Sequence, residues 1–278
     1  MIRSRTLGAR LRTAFAVAGM WLVVLILVAP FGWTVLNSFK TEMDAVRNPP
    51  TIQFVPTLQN YLDVIGDDLM HYLLNSVVIT VITTVAVIAI AFPLAYALAV
   101  RPALRSWRDI LFFLLTSRLM PVGGIVVPLF IIALSLGILD TRLLLIVLYT
   151  GMNLPIAVWL LRAYLLEVSP SVIEAARLDG AGSIREMVSI ALPLTAPSVA
   201  ATAALVSIFT WNEFFLGVSL TATDAATLPV YLSGFQSNRG LFLAKLAAIT
   251  VLASVPTIIV GWLAQRRLIH GFELGSDH

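Results

Sequence analysis

The chain has 278 residues, of which 59% are hydrophobic and 12% charged, with a net charge of +3, a mean hydropathy of +0.94 and no cysteine. Soluble domains are about a quarter charged, so this composition excludes an ordinary soluble globular protein. The lack of cysteine excludes a disulfide framework, a thiolate metal site and a thiol nucleophile.

Met1 to Thr13 carries Arg3, Arg5, Arg10 and Arg12, and the uncharged apolar run Ala14 to Leu36 follows. A signal-peptide core is about 7–15 residues long, whereas crossing about 30 Å of hydrocarbon takes about 20 helical residues. The run therefore reads as an uncleaved first span, residues 14–36. Asn37 to His71 is polar, with Pro49-Pro50, Pro56 and the acids Glu42, Asp44, Asp63, Asp67 and Asp68. The second span is 73–100, with Pro93 expected to kink it. Its polar groups (Asn75, Ser76, Thr80, Thr83 and Thr84) suit helix–helix packing. Arg101, Arg105 and Arg108 form a short basic turn.

The third span is expected over 119–139, irregular because of Pro121, Gly123-Gly124 and Pro128. Arg118 then lies at the inner interface and snorkels. The other placement starts the helix near Arg108 and puts Arg118 about 15 Å deep, where a charge suggests a functional role; the interfacial placement is favoured. The fourth span is 143–161, containing Asn153-Leu154-Pro155 and ending at Arg162. The fifth is 195–220, with Trp211-Asn212-Glu213 near its far end, and the sixth is 241–264, closed by Arg266-Arg267. Glu213 lies about 18 residues, or about 27 Å, beyond the inner start of its helix. It and Lys245 are expected near the outer surface, where they could pair.

Six spans place both termini on one side. One set of faces holds Arg3, Arg5, Arg10, Arg12, Arg101, Arg105, Arg108, Arg162, Arg177, Arg185, Arg266 and Arg267; the other holds Lys40, Arg47, Arg142, Arg239 and most loop acids. The positive-inside rule makes the first set cytoplasmic. The fold class expected is all-α: one polytopic membrane domain, 1–278, with six transmembrane helices and a cytoplasmic helical loop over 168–194.

That loop belongs to the polar stretch Val168–Pro197. Ser169-Pro170 is a helix start, Glu174 and Arg177 stand i,i+3, and Val172, Ala175 and Ala176 form an apolar side. Gly180 ends the helix. Ser183 and Glu186 have capping-box spacing, and Met187, Ile190, Ala191 and Leu194 give the next helix its apolar face. The chain has no phosphate-binding Gly-x-x-x-x-Gly-Lys-Ser/Thr loop, no metal-ligand spacing among His71, His270 and His278, and no catalytic constellation. ATP hydrolysis, if any, is expected on a partner.

The groups Glu174-Ala175-Ala176, Asp179-Gly180-Ala181, Leu192-Pro193-Leu194 and Pro197, in this order and spacing, resemble the EAA loop of binding-protein-dependent ABC importer permeases. Met187 departs from the aromatic residue often found at its position. The whole chain looks like a permease of the maltose-type carbohydrate family. Asn75-Ser76, Trp211-Asn212-Glu213-Phe214 and the tail Gln265-Arg266-Arg267 to Gly271-Phe272-Glu273-Leu274-Gly275 carry that resemblance, although the chain departs from it by finishing Ser-Asp-His.

The resemblance implies a bacterial inner-membrane transport subunit, not an enzyme. It binds no cofactor or nucleic acid itself, sits in membrane lipid, and works with a second homologous permease, two ATPases carrying ATP–Mg, and an extracytoplasmic binding protein. Glu174, Ala175, Ala176, Arg177, Asp179, Gly180 and Ala181 would engage the ATPase. Asn153, Trp211, Asn212 and Glu213 are candidates for the translocation path, since sugars are bound by aromatic faces and by amide or carboxylate hydrogen bonds. Two alternatives stay open: an ABC permease for a non-sugar solute such as an amino acid or phosphate ester, and a stand-alone secondary transporter. The latter would need paired intramembrane acids or inverted repeats, and neither is evident.

Overall fold

A computed structural model describes residues 7–66, 68–100, 107–119, 121–235 and 242–273, without the side chains of 7–11, 107–108 and 265–273. Arg3, Arg5, Asp67, Arg101, Arg105, Arg239 and the tail from Leu274 lie outside the described residues. So do the side chains of Arg10, Arg108, Arg266, Arg267 and His270.

Among the described residues every regular element is helical, in agreement with the expected all-α class. In chain order they are α1 (Leu7–Ser38), α2 (Glu42–Ala45), α3 (Gln59–Gly66), α4 (Leu69–Val100), α5 (Trp107–Arg118), α6 (Val122–Ser135), α7 (Arg142–Leu165), α8 (Pro170–Leu178) and α9 (Ser183–Glu186). A π-helical turn (Met187–Ala191), α10 (Leu192–Leu194), α11 (Ala196–Trp211), α12 (Phe215–Leu220), α13 (Leu228–Gly234) and α14 (Leu243–Glu273) complete the order.

Four stretches are long and apolar enough to cross a bilayer: Arg12–Ser38, α4, α7 and Leu243–Ala264. The third expected span is not one helix. α6 has 14 residues, about 21 Å, and reaches spanning length only together with α5, from which it is bent by 88°. The fifth expected span is also interrupted: α11 has 16 residues and stops at Trp211, and α12 restarts at Phe215. A bend of 80° separates α11 from the helical run Ser183–Leu194 before it. Counting each bent pair as one, the chain has up to 6 spans.

The described residues group into two compact units, and the first comprises the residues up to 67 with 235–253. Here α1 is exposed on every side from Arg12 to Trp33. A helix apolar all round needs an apolar environment. Below it, Asn60 donates Nδ2 to the carbonyls of Ser38 and Lys40 at 2.9 and 2.7 Å, and the buried Lys40 places Nζ 4.4 Å from the Trp33 ring centre. Glu42 caps α14 from outside: its two carboxylate oxygens accept the N–H groups of Ala244 and Lys245, both at 3.0 Å. Carboxylates favour this position because the first-turn donors of a helix have no partners of their own. Lys245 pairs with Asp63 at 3.0 Å, so the expected Lys245–Glu213 pair does not form.

In the second unit, residues 68–234 and from 254 on, α4 and α7 pack along their length. Ala91, Ala95 and Ala157 are fully buried at this seam with Val87, Val158 and Leu161. Small residues let backbones approach closely, which is how apolar helices associate where water supplies no drive. At one end of both helices a polar cluster fixes residues 221–228. Asn75 donates Nδ2 to the carbonyls of Asp224 and Ala226 and accepts Arg142 Nε at 2.7 Å. Ser76 Oγ accepts the Leu228 N–H at 2.7 Å. The amide and hydroxyl expected to serve helix packing thus anchor a loop.

Asp140 completes the cluster. α6 closes with Gly137 at φ +67, and Asp140 also has positive φ, +56. Its carboxylate accepts N–H groups of Thr223, Asp224 and Ala225 at 3.0, 3.1 and 3.0 Å. Burial alone would raise its pKa, but the backbone donors from Thr223, Ala222, Ala225 and Asp224 outweigh that and hold it below the usual carboxylate value. A carboxyl whose folded pKa lies below its unfolded value of about 3.9 stabilises the protein above that pH, and loses the effect as pH falls through the folded value. Asp140→Asn should therefore lower stability at pH 7 by about 1–3 kcal/mol, read as the Tm in detergent. The gap to wild type should narrow below about pH 4; equal Tm values at pH 7 would remove this role.

Candidate functional site

The stretch 168–197 folds as two short helices. Pro170 occupies the first position of α8 with Ser169 before it, but Ser169 Oγ bonds Ser171 Oγ at 2.8 Å instead of capping. α8 ends at Gly180, φ +80, where Gly180 N–H reaches the Arg177 carbonyl and Ala181 N–H the Ala176 carbonyl, both at 3.0 Å. This double closure needs a left-handed residue. Nothing lies within 4 Å of where a Cβ on Gly180 would sit, so backbone conformation, not space, requires glycine there.

The expected capping box is absent. Gly182 is the cap, Ser183 is already helical, and Glu186 turns inward, 2% exposed. Arg177 grips its carboxylate with two parallel bonds, Nε to Oε2 at 3.0 Å and Nη2 to Oε1 at 3.1 Å. The Tyr96 hydroxyl, on α4, donates to Oε1 as well. A buried carboxylate is costly unless paired and hydrogen-bonded, and a bidentate arginine with a phenol meets that need. The expected Glu174–Arg177 pairing gives way to this one: Arg177 crosses to the second helix, and Glu174 stays exposed.

The inward side of α8 is Ile173 and Ala176, whereas Val172 and Ala175 face out. Of the two alanines expected to fit a partner closely, Ala175 is thus available and Ala176 packs inside. Asp179, Gly180 and Arg185 are exposed, Ala181 is half-buried, and Leu178 and Ile184 are 89% and 77% exposed. Two large apolar side chains thus stand open beside the polar groups of the loop. Beside them Glu174 and Arg177 line a cleft of about 380 Å³ with Val100, Leu165 and Pro170.

The second group of expected residues lies around the broken helices. Asn153 is fully buried and donates Nδ2 to the Tyr149 carbonyl at 2.9 Å and to Thr210 Oγ1 at 3.3 Å. It ties α7 to α11. Trp211 is buried at 8% exposure, and Asn212 is exposed, with Nδ2 on the Ile208 carbonyl at 2.8 Å. Glu213 accepts the N–H groups of Leu216 and Gly217 at 3.0 and 3.3 Å, capping α12. Trp211, Asn212 and Glu213 stand at the break between α11 and α12, and the bonds made by Asn153, Asn212 and Glu213 are to the protein itself.

Arg118 turns toward the protein rather than away from it. Its Nη1 donates to the carbonyl of Met152, and its guanidinium carbon lies 5.4 Å from the Phe209 ring centre. Sequence reasoning missed Tyr96, Asp140 and the buried role of Glu186. For Glu186 a signal existed: it precedes Ile190 by one helical turn, so it falls on the stripe expected to face inward.

Residues 76–269 match the protein family described as binding-protein-dependent transport system inner membrane component. A probable ABC transporter permease of Sinorhizobium fredii is 34% identical over 98% of this chain and 97% of its own length. The trehalose/maltose transport system permease MalG of Thermococcus litoralis is 31% identical over 96% and 97%. Among solved structures, a bacterial ABC transporter involved in import of the acidic polysaccharide alginate superposes with a TM-score of 0.76 at 24% identity, covering 95% of this chain and 98% of the other. The chain belongs to the inner membrane components of binding-protein-dependent transport systems, the permease subunits of ABC transporters.

Proposed function

We propose that this chain forms half of the pathway of an ATP-driven importer for a sugar or related carbohydrate, paired with a second homologous permease. Two ATPase subunits carrying ATP–Mg and an extracytoplasmic binding protein complete the complex. The carbohydrate reading is supported by relatives such as the trehalose/maltose permease. The positive-inside pattern supports an orientation with both termini and the 168–194 loop in the cytoplasm.

The observation that carries the mechanism is the bond set Tyr96–Glu186–Arg177. It fastens the two loop helices to each other and to α4. The exposed face of Glu174, Ala175, Leu178, Asp179 and Ile184 docks on the ATPase. Closure of the ATPases on ATP then moves the loop as one body, and α4 moves with it. The permease population shifts toward the outward-facing state to the extent that the closed ATPases bind that state better.

The purified chain should hydrolyse no ATP and move no sugar. Proteoliposomes holding the full complex and the binding protein should do both, and unaided transport by the chain would overturn the reading. Glu186→Ala leaves the Tyr96 hydroxyl without its acceptor and Arg177 without its counter-ion. It should cost about 1–3 kcal/mol of stability and lower the uptake obtained per ATP hydrolysed. An unchanged ratio in an assembled complex would show that the bond set transmits nothing. At Gly180, asparagine tolerates positive φ far better than a β-branched residue. Gly180→Asn should keep more coupled uptake than Gly180→Val, and equal losses would point to a side-chain clash with the ATPase instead.

A further inference from the structure

Arg118 stands where a membrane protein rarely keeps a charge. It is the last residue of α5, at the break before α6. The carbonyl it bonds, Met152, is the eleventh residue of α7, a span of 24 residues. At 1.5 Å per residue that carbonyl is about 15 Å from one end of the span and about 20 Å from the other. The guanidinium therefore sits near mid-depth, not at the headgroups. An ionisable group there faces protein or a water-filled path and marks a functional site by default.

The surroundings leave the charge unanswered. Neither ion pair among the described residues includes Arg118. Its protein contacts are a neutral carbonyl and the Phe209 ring face, which hold a cation without neutralising it. Glu213, on the turn leading to Leu216, gives its two oxygens to the N–H groups of Leu216 and Gly217. Arg118 opens into a cleft of about 200 Å³ lined also by Ser117, Gly151, Pro155 and Leu216. Pro155 has no N–H for the Gly151 carbonyl four residues back, so the same turn presents an acceptor beside the cation. Ser117 gives its hydroxyl hydrogen to the Leu114 carbonyl at 2.7 Å, so the cleft offers one cation, one hydroxyl oxygen as acceptor and the Gly151 carbonyl in otherwise apolar surroundings, a match for a hydroxylated solute bearing a single negative charge.

We propose that Arg118 is the anion-recognising residue of the translocation path, and that the transported carbohydrate carries a carboxylate or sulfonate. This rests on the carbohydrate reading above. A planar guanidinium with one nitrogen fixed on Met152 is pre-oriented to offer its remaining N–H groups to such an oxyanion. The depth of the site excludes a lipid headgroup as the anion. The neutral sugar of the same size leaves the cation unpaired in a low-dielectric path, which is the source of discrimination.

The test uses the complete complex with its binding protein in proteoliposomes, given trehalose, maltose, a glucuronate-containing disaccharide and 6-deoxy-6-sulfoglucose. Uptake of at least one anionic sugar should exceed that of both neutral ones by about tenfold or more. Arg118→Gln should remove that preference by lowering anionic uptake about tenfold, and Arg118→Lys, which keeps the charge but not the planar fork, should fall between. The wild-type panel decides the matter even if a variant fails to assemble. Import of neutral sugars alone, or anionic uptake unchanged in Arg118→Gln, overturns the assignment while leaving the carbohydrate reading intact. If none of the four sugars enters, the carbohydrate reading falls and this assignment with it.

Discussion

Hydrocarbon offers no hydrogen bonds, and that constraint decides where this chain keeps its polar side chains. A helix that stops inside an apolar slab strands donors and acceptors that must be answered by protein. Past the end of α11, Glu213 answers the N–H groups of Leu216 and Gly217, and Asn212 takes the Ile208 carbonyl. In the proline-bearing turn of α7, Arg118 takes the Met152 carbonyl and Asn153 the Tyr149 carbonyl. A chain only 12% charged thus places several of its rare polar groups at interruptions. The interruptions are what give an all-helical membrane protein an irregular interior wall able to meet a polar solute.

The loop over 168–194 solves the opposite problem. It is polar and has too few residues for a core of its own, so it borrows one. Ile173 and Ala176 turn inward, and Ala191 joins the cluster of Ala95, Leu98 and Leu165. The buried Glu186 then adds direction to that apolar contact. Apolar packing alone tolerates sliding, whereas a carboxylate held by one arginine fork and one phenol has a single geometry. Arg177 keeps 46% of its side chain exposed, so the charge pair is reachable at the rim while its acidic half is sealed.

What could be read from sequence was local in origin. Gly180 and Pro170 act through their own backbone, and the structure has them as the termini of α8. The uninterrupted apolar runs 73–100 and 143–161 match α4 and α7 to within four residues at each end. The breaks were hidden because hydropathy averages over a window: Ile125 to Leu134 and Leu216 to Leu220 look as apolar as continuous helix. Pairings across long separations were hidden as well. Lys245 meets Asp63 rather than Glu213, and Arg142 meets Asn75, because tertiary placement, not charge alone, chooses the partner. The contacts of Arg118 are hidden for the related reason that snorkelling is the cheap solution for an isolated helix. A carbonyl and an aromatic face on neighbouring helices hold its guanidinium instead.

These two halves share one contiguous route. The run Ser183–Leu194 leads through Thr195 directly into α11, whose Thr210 accepts the Asn153 amide. Asn153 follows Met152 in the chain, so adjacent residues of α7 serve opposite tasks. The side chain of one locks α7 to α11, while the carbonyl of the other holds Arg118. A rotation of α11 driven from the loop could not leave that carbonyl in place unless the Asn153–Thr210 bond gave way first. Such packed interiors rearrange between discrete states rather than bending smoothly. On the proposed function, the Arg118 site and the loop that takes up the ATPase's motion belong to one contiguous element, and the orientation of Arg118 is then a property of the conformational state rather than a fixed feature of the pathway.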